Sequence, residues 1–210
     1  KAIKKNIYNL KNTTIGTDNS GRSYRFAKGA DLRLHLKFKG VLEDESDYNG
    51  VSKTLAYEGS VEKTAEKIGH NIYPAARFDN SEDLNALVTY SNTTNDLSFG
   101  NGTTDSPFSV SLFYRRISSL ADSAVDYLFA KSAGGSTTTE FYAFYDADDN
   151  ELALVLADDS TSATNRKIWT LAASDVNDKW VHICITYDGR GGSTAFNGMN
   201  AYANGEALVV

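Results

Sequence analysis

The chain has 210 residues, of which 41% are hydrophobic, and it carries a formal net charge of −6 and one cysteine, Cys184. This hydrophobic fraction supports a substantial core and excludes wholesale disorder, and a lone cysteine excludes an internal disulfide framework and a cysteine-based zinc site. Because no apolar run approaches the roughly 20 residues that span a bilayer, the sequence predicts no insertion into a membrane.

Positive charge is concentrated at the start of the chain. Residues 1–30 hold seven basic residues and one acidic residue, Asp18, a net charge of +6, whereas the rest of the chain holds 14 basic and 26 acidic residues, a net charge of −12. This asymmetry predicts a basic N-terminal arm before an acidic body, either as a solvated linker or as an arm that docks on an acidic partner. An acidic body argues against nucleic acid as a ligand, because phosphate binding needs a basic face. The basic residues of the predicted arm are Lys1, Lys4, Lys5, Lys11, Arg22, Arg25 and Lys28.

The first part of the predicted body mixes an alternating stretch with polar turns. Residues 31–40 alternate apolar and polar side chains with a period of two, which predicts a half-buried strand, and the acidic loop "VLEDESDYNG" follows it. Residues 60–69 predict one or two helical turns. Residues 75–90 predict a strand, a polar turn and a second strand.

Alternation is clearest in the second half of the chain. The stretch "FSVSLFYRR" predicts one strand, and a polar turn at residues 146–150 predicts a hairpin. The stretch "KWVHICITYDGR" predicts a strand that ends at an Asp-Gly turn, and Asn204-Gly205 predicts a second hairpin. With roughly ten strands and at most one helix, the pattern predicts an all-β fold, an antiparallel sandwich or barrel. The residues predicted to share one face of the strand after Trp180 are Val181, Ile183, Ile185 and Tyr187.

Five stretches, taken in order, resemble the laminin G-like jelly rolls of the concanavalin A-like lectin superfamily. The resemblance covers about residues 31–210 and implies an antiparallel β-sandwich of the concanavalin A-like jelly-roll type, with residues 1–30 as a basic N-terminal extension. Because the same fold hosts lectins, glycosidases and structural modules, it implies no single function. The stretches read "LRLHLKFKGVLEDESDYNG", "EKIGHNIYPAARFDNSEDL", "SPFSVSLFYRR", "DKWVHICITYDG" and "NAYANGEALV".

The resemblance implies a further strand that the sequence does not contain. The family continues beyond the Asn-Gly hairpin with a strand containing Gly-x-Ile-Asp/Glu, whereas this sequence stops at Val210. A long uncovered sheet edge is an aggregation hazard. We therefore expect either that the natural chain is longer or that a partner chain supplies the missing strand.

The sequence predicts no catalysis. Retaining glycosidases need two carboxyl groups about 5–5.5 Å apart, but the densest acidic runs, residues 43–47, 146–151 and 158–159, lie in predicted turns. A nucleophile triad needs Ser or Cys beside a positioned His, and no recognised nucleophile motif accompanies the three histidines.

Calcium is the one cofactor that the sequence raises. The run "DADDN" at residues 146–150 begins like an EF-hand loop, but Glu151 and Ala157 stand where that loop needs Gly and Glu. The resemblance implies a different site, since many laminin G-like and lectin domains hold calcium among loop Asp and Asn residues. Its candidate ligands here are Asp79 and Asp188.

Tyrosines provide the candidate glycan contacts. Sugar binding needs an exposed aromatic ring beside planar hydrogen-bonding side chains, and Tyr48, Tyr73 and Tyr90 lie in or beside predicted loops. Burial is the alternative role for each of them. Trp180 is expected to pack and His182 to make a structural hydrogen bond, so the Trp-led strand is interpreted as scaffold.

Two functions fit these observations. The first is a non-catalytic assembly module of a virion or surface particle, such as a capsid decoration, tail or fibre component, whose partners are other subunits and which also contacts cell-surface glycans. The basic arm and the unfinished sandwich favour it. The alternative is a carbohydrate-binding or adhesion module of a larger extracellular protein, assisted by calcium, which the resemblance favours equally. Either function places the chain on a virion or an extracellular surface.

Overall fold

The computed structural model describes residues 13–17, 23–27, 36–37, 43–44, 55–58, 61–68, 70–78, 87–90, 97–100, 104–120, 125–132, 139–158 and 163–210. The chain divides into two compact units, Lys1–Asp96 and Leu97–Val210. The boundary predicted between residues 30 and 31 stays a prediction. None of the helices in the described ranges is long and apolar enough to cross a membrane.

The first unit consists of paired antiparallel strands in its described part. The pairs are β1 with β2, β3 with β4, β5 with β8, and β6 with β7. The predicted arm thus contains a hairpin, in which Arg25 lies opposite Ile15; its six other basic residues lie outside the described ranges. The strands are β1 (Thr13–Thr17), β2 (Ser23–Ala27), β3 (Leu36–Lys37), β4 (Glu43–Asp44), β5 (Leu55–Glu58), β6 (Val61–Ile68), β7 (Asn71–Phe78) and β8 (Leu87–Tyr90).

The helical turns predicted over residues 60–69 are wrong. The segment forms β6, which pairs with β7 along its full length, from Val61 opposite Phe78 to Ile68 opposite Asn71. A helix this short is marginal in water. Pairing with β7, which follows after a tight turn, instead gives alternate residues of β6 backbone hydrogen bonds across the pair. The acidic loop predicted after residue 40 is also interrupted, because residues 43 and 44 form strand β4.

The second unit is a sandwich of two four-stranded antiparallel sheets, in the orders β10-β11-β12-β13 and β16-β15-β14-β9. This confirms the predicted all-β sandwich. The described residues of this unit include three short helical segments: a 3₁₀ helix at Ser118–Leu120, α1 at Ala173–Val176 and a 3₁₀ helix at Gly192–Gly198. The strands are β9 (Phe108–Tyr114), β10 (Val125–Ser132), β11 (Thr139–Asp146), β12 (Glu151–Asp158), β13 (Ala163–Thr170), β14 (Val181–Tyr187), β15 (Met199–Ala203) and β16 (Glu206–Ala207).

The core lies between the two sheets. One sheet contributes Trp169 and Leu152, the other Ile183 and Met199, and all four are almost fully buried in a single apolar cluster. Burying such a side chain contributes about 1.5–3 kcal/mol. Along β14 the side chains alternate strictly between buried and half-buried, so the inward face predicted for this strand is confirmed. The same alternation leaves its other side chains on the outside of the sandwich.

The hairpin turns follow from residues that tolerate left-handed backbone. Asn150 closes the β11–β12 turn at φ 58°, and Asn204 and Gly205 close the β15–β16 turn at φ 51° and 89°. In the first of these turns the Asp146 carboxylate accepts the backbone N–H of Asp148 at 3.1 Å. This Asx turn explains the acidic run as turn chemistry.

The last residues connect the two sheets. The Leu208 N–H donates to the Ala201 carbonyl at 2.9 Å, and the Thr170 N–H donates to the Val209 carbonyl at 3.0 Å. Residues 208 and 209 therefore bond to β15 in one sheet and to β13 in the other. The predicted need for a further strand is not tested by these contacts and stays a prediction.

Candidate functional site

Eight side chains lie on the outward side of β9, β14 and β15, three of the four strands of their sheet, and we call this surface the outer face. Strand alternation places them there, since their neighbours along each strand point into the core. Cross-strand pairing sets them in rows, with Cys184 opposite both Ser111 and Tyr202, and Thr186 opposite both Ser109 and Asn200. The members of the outer face are Ser109, Ser111, Phe113, His182, Cys184, Thr186, Asn200 and Tyr202.

One end of the outer face is aromatic. Phe113 is 55% exposed, a high value for a phenylalanine within a strand. Its ring centroid lies 5.0 Å from that of His182, with 49° between the planes. Beyond this pair the Arg115 guanidinium carbon lies 5.3 Å from the centroid of the Trp180 ring, within the range of a cation–π contact. Phe113 thus exposes one side of its ring to solvent, next to the imidazole ring of His182.

His182 is held by contacts to strand β9 and to the β15–β16 turn. Its Nε2 and the Ser111 hydroxyl are hydrogen-bonded at 2.7 Å. Its backbone N–H donates to the Asn204 side-chain oxygen at 3.0 Å, and its carbonyl accepts the Asn204 N–H at 2.8 Å. The role expected for His182, a structural hydrogen bond, agrees with these contacts. The bond to Ser111 also orients the imidazole, which lies against Phe113.

The other end of the outer face is polar and uncharged. Ser109 and Asn200 are exposed on either side of half-buried Thr186, and together they present two hydroxyl groups and one amide. In the row between the two ends, burial raises the pKa of the Cys184 thiol, which keeps it protonated at neutral pH. The outward positions of the three strands therefore carry hydrogen-bonding groups and rings, with no Asp, Glu, Lys or Arg among the eight.

A rigid loop borders the polar end. The buried Tyr187 hydroxyl donates to the Asp105 carboxylate at 2.6 Å and accepts the Gly191 N–H at 2.7 Å. Burial and the bond to Asp105 raise the pKa of Tyr187 to about 12. Next to it the Arg190 guanidinium contacts both carboxylate oxygens of Asp188, and hydrogen bonding from Arg190 lowers the pKa of that carboxyl group.

The opposite sheet carries a second exposed aromatic, Tyr127, which is 69% exposed. Its ring centroid lies 6.0 Å from those of Tyr142 and Phe144. Arg166 covers Phe144 at 5.1 Å and is ion-paired with Glu151 at 3.2 Å. These rings pack mainly on one another beneath an ion pair, and they lack the row of uncharged hydroxyl and amide groups that accompanies Phe113.

A laminin G family model, described as the concanavalin A-like lectin/glucanases superfamily, matches residues 88–208, more than half of the chain. The chain belongs to the concanavalin A-like lectin/glucanases superfamily. The match takes in both sheets of the sandwich and the whole outer face. This is a general carbohydrate-binding or adhesion type of fold, typically without enzymatic activity. A search of curated proteins gives no match.

For a member of this superfamily, the predicted calcium site finds little support. Asp188 is occupied by Arg190 and would have to release it to coordinate a cation. Asp79 lies outside the described ranges. Within those ranges no group of three His, Cys, Asp or Glu side chains is arranged to hold a metal ion. Calcium binding stays a prediction.

Among the three tyrosines predicted to contact glycan, the structure describes the side chain of Tyr73. Tyr48 lies outside the described ranges, and Tyr90 ends strand β8 with its side chain undescribed. Tyr73 lies within β7, where its hydroxyl accepts a hydrogen bond from the Asn71 amide at 3.2 Å. Tyr90 ends a strand, as the second strand predicted over residues 75–90 requires, whereas Tyr73 lies inside β7. The glycan role of the three tyrosines stays a prediction.

Sequence reasoning missed Phe113 as a surface residue. The signal was present, because Phe108, Val110 and Leu112 share one parity in this strand and Phe113 has the other. An aromatic residue on the polar parity of a half-buried strand is expected to be exposed. The strand that starts after Trp180 was interpreted as scaffold, yet its outward side chains form the middle of the outer face of this superfamily member.

Proposed function

We propose that this protein is a non-catalytic carbohydrate-binding module whose sugar-binding surface is the outer face. The observation that carries the proposal is the exposed Phe113 ring on a sheet face otherwise made of hydroxyl, amide, thiol and imidazole groups. A sugar ring has an apolar flank and a rim of hydroxyl groups. The apolar flank matches an aromatic ring, and the rim matches Ser109, Thr186 and Asn200.

The rigidity of the outer face supports binding. Its groups lie on strands, which hold side chains more precisely than loops do. The Ser111–His182 hydrogen bond holds the imidazole ring next to Phe113, and the bonds to Asn204 hold the backbone of His182. A fixed surface loses less side-chain entropy when a ligand is bound.

The chemistry of the outer face also supports the absence of catalysis. Glycoside hydrolysis uses two carboxylic acids that flank the scissile bond. The eight outward positions of β9, β14 and β15 hold no Asp or Glu. A sugar bound to these side chains would contact hydroxyl, amide and ring groups, without a pair of carboxylic acids to cleave its glycosidic bond.

The test is a screen for retardation of the chain in native gels that contain soluble polysaccharides. We expect retardation by at least one polysaccharide, and about tenfold weaker binding after Phe113→Ala, a loss of about 1.4 kcal/mol. The matched control is Tyr127→Ala, which removes an exposed aromatic from the opposite sheet and should leave binding unchanged. Equal losses in both variants would contradict the outer face as the site.

Assembly is a second candidate function, and strand β9 is the observation that favours it. Among the described strands β9 ends its sheet, and its seven residues contain no charged side chain and no bulge against β14. Natural edge strands are usually protected by charges, prolines or bulges. An unprotected edge accepts a strand from another chain, as the sequence-based expectation of a virion or surface-particle subunit requires.

This second candidate is tested by sedimentation of the chain at rising concentration, alone and with Ser109→Lys. A charge on the edge should abolish any association that uses β9. A wild-type chain that sediments as a monomer throughout the range would count against self-assembly through this edge.

A further inference from the structure

We infer that the outer face selects uncharged glycans over acidic ones. The inference rests on the proposed sugar-binding function and adds the chemical class of the ligand. It follows from two observations. The eight positions of the outer face hold no Asp, Glu, Lys or Arg, and the described basic side chains at its two ends, Arg115 and Arg190, already contact other groups.

The neutral character of the outer face is continuous from end to end. Its rows run from Phe113 and His182, through Ser111, Cys184 and Tyr202, to Ser109, Thr186 and Asn200. Every polar group in the last row is a hydroxyl or an amide, and each can both donate and accept hydrogen bonds. Sugar hydroxyl groups also donate and accept, so neutral sugars can satisfy these groups without leaving an unpaired charge.

The basic side chains at the two ends of the outer face are engaged. At the aromatic end Arg115 stacks over Trp180 at 5.3 Å. Its charge also contributes to the lowered pKa of Asp178, which is caused mainly by hydrogen bonds from Ser118. At the polar end Arg190 is paired with both oxygens of Asp188. A sugar carboxylate or sulfate would have to compete with these partners.

The negative charge of an acidic sugar on the outer face would therefore lack a basic side chain to pair with. Charged ligands are normally held by charge-assisted hydrogen bonds from Arg or Lys. Burying an anion against hydroxyl groups and rings without such a partner is costly. The chain as a whole carries a formal net charge of −6, which adds long-range repulsion of polyanions at low salt.

The experiment compares polymers that share a backbone and differ in charge. The chain is run in native gels containing neutral β-glucan, xylan, galactomannan or starch, and in gels containing the carboxymethylated derivative of each. Gels are run at one pH, 8, and at low and high salt. The chain is compared with Phe113→Ala, Tyr127→Ala and Ser109→Lys.

We expect at least one neutral polymer to retard the chain, at both salt concentrations, and its carboxymethylated form to bind about tenfold more weakly or not at all. Ser109→Lys places a cation at the exposed polar end, so it should gain several-fold affinity for the carboxymethylated form at low salt. Phe113→Ala should bind the neutral polymer about tenfold more weakly, and Tyr127→Ala should bind it as the wild type does.

Different failures have different meanings. Equal or stronger binding of the carboxymethylated form by the wild-type chain would overturn the selectivity and leave sugar binding intact. No retardation by any polymer would overturn the proposed function, and the selectivity with it. A loss caused by Tyr127→Ala but not by Phe113→Ala would place the sugar on the opposite sheet and overturn both.

Discussion

The Ser111 hydroxyl and the His182 imidazole are hydrogen-bonded at 2.7 Å across the β9–β14 pair, and the imidazole so fixed lies against Phe113. The bond joins two strands on the solvent side of the sheet. It therefore positions a ring at a surface, where packing alone would leave the side chain free to rotate.

Ser111→Ala tests this positioning. We expect the free energy of unfolding to fall by about 0.5–1.5 kcal/mol, the usual net value of one hydrogen bond, and polysaccharide binding to weaken several-fold because the imidazole loses its orientation. Urea denaturation and gel retardation measure the two effects. The control is Ser109→Ala, on the same strand face but without a bond to His182; an equal loss of stability in both variants would argue against the bond.

The core of the sandwich should respond strongly to truncation. Ile183 is fully buried between the sheets, so Ile183→Ala should lower the free energy of unfolding by about 2–5 kcal/mol through lost burial and a cavity. Thr186→Ala, on the other face of the same strand, should cost much less. Urea denaturation of both variants decides the point, and similar costs would mean that the two faces of β14 are assigned wrongly.

Tyr187 makes stability depend on alkaline pH. Burial and the bond to Asp105 raise its pKa from the ordinary value of 10.0 to about 12 in the folded chain. Between these values the unfolded chain loses the proton first, so the contribution of Tyr187 is complete below pH 10 and is lost as pH rises towards 12. Tyr187→Phe should be less stable at pH 9 and should lose less further stability up to pH 12.

Urea titrations at several pH values measure this difference between wild type and variant. Burial also raises the pKa values of Tyr114 and Tyr145. Both tyrosines are present in the wild type and in the variant, so the comparison isolates Tyr187. Parallel curves for the two chains would show that the Tyr187–Asp105 bond does not control the alkaline transition.

Gly198 leaves room for the Asp188 carboxylate. A Cβ at residue 198 would lie 2.0 Å from Asp188 Oδ1, far inside contact distance. Gly198→Ala should therefore displace Asp188 from Arg190 and cost about 1–3 kcal/mol, as overpacking does. In the double variant with Asp188→Ala the clash with the carboxylate is gone, and the remaining neighbour, Arg190 Nε at 3.0 Å, belongs to a side chain released from its partner. Gly198→Ala should therefore cost clearly less there. Identical costs in the two backgrounds would point to backbone effects in place of the clash.

The sequence predicted the strands of the sandwich better than the structure of residues 60–69. The alternation of apolar and polar residues identified β9 and β14 and showed which side chains of each are buried, because one face of each strand packs on the core. It failed at β6, where Val61, Ala65 and Ile68 fit a helical spacing as well as any other. The neighbouring strand β7 decided the outcome, and no local pattern contains that information.

The candidate site was predicted less well, for a physical reason. Whether an aromatic side chain is open to a ligand depends on which strands lie beside it, and Tyr73 and Phe113 differ in that respect. Parity in β9 could have indicated Phe113. The pairing of Ser111 with His182 could not have been predicted, because it joins residues 71 positions apart.

The position of Cys184 gives the chain an internal reporter. The single thiol is half-buried in the middle row of the outer face, between Ser111 and Tyr202. Its raised pKa means that alkylation accelerates as the solution becomes alkaline. A polysaccharide lying across that row would shield the sulfur from iodoacetamide, so the mass of the modified chain, followed over time, would count occupied and empty surfaces without any label being introduced.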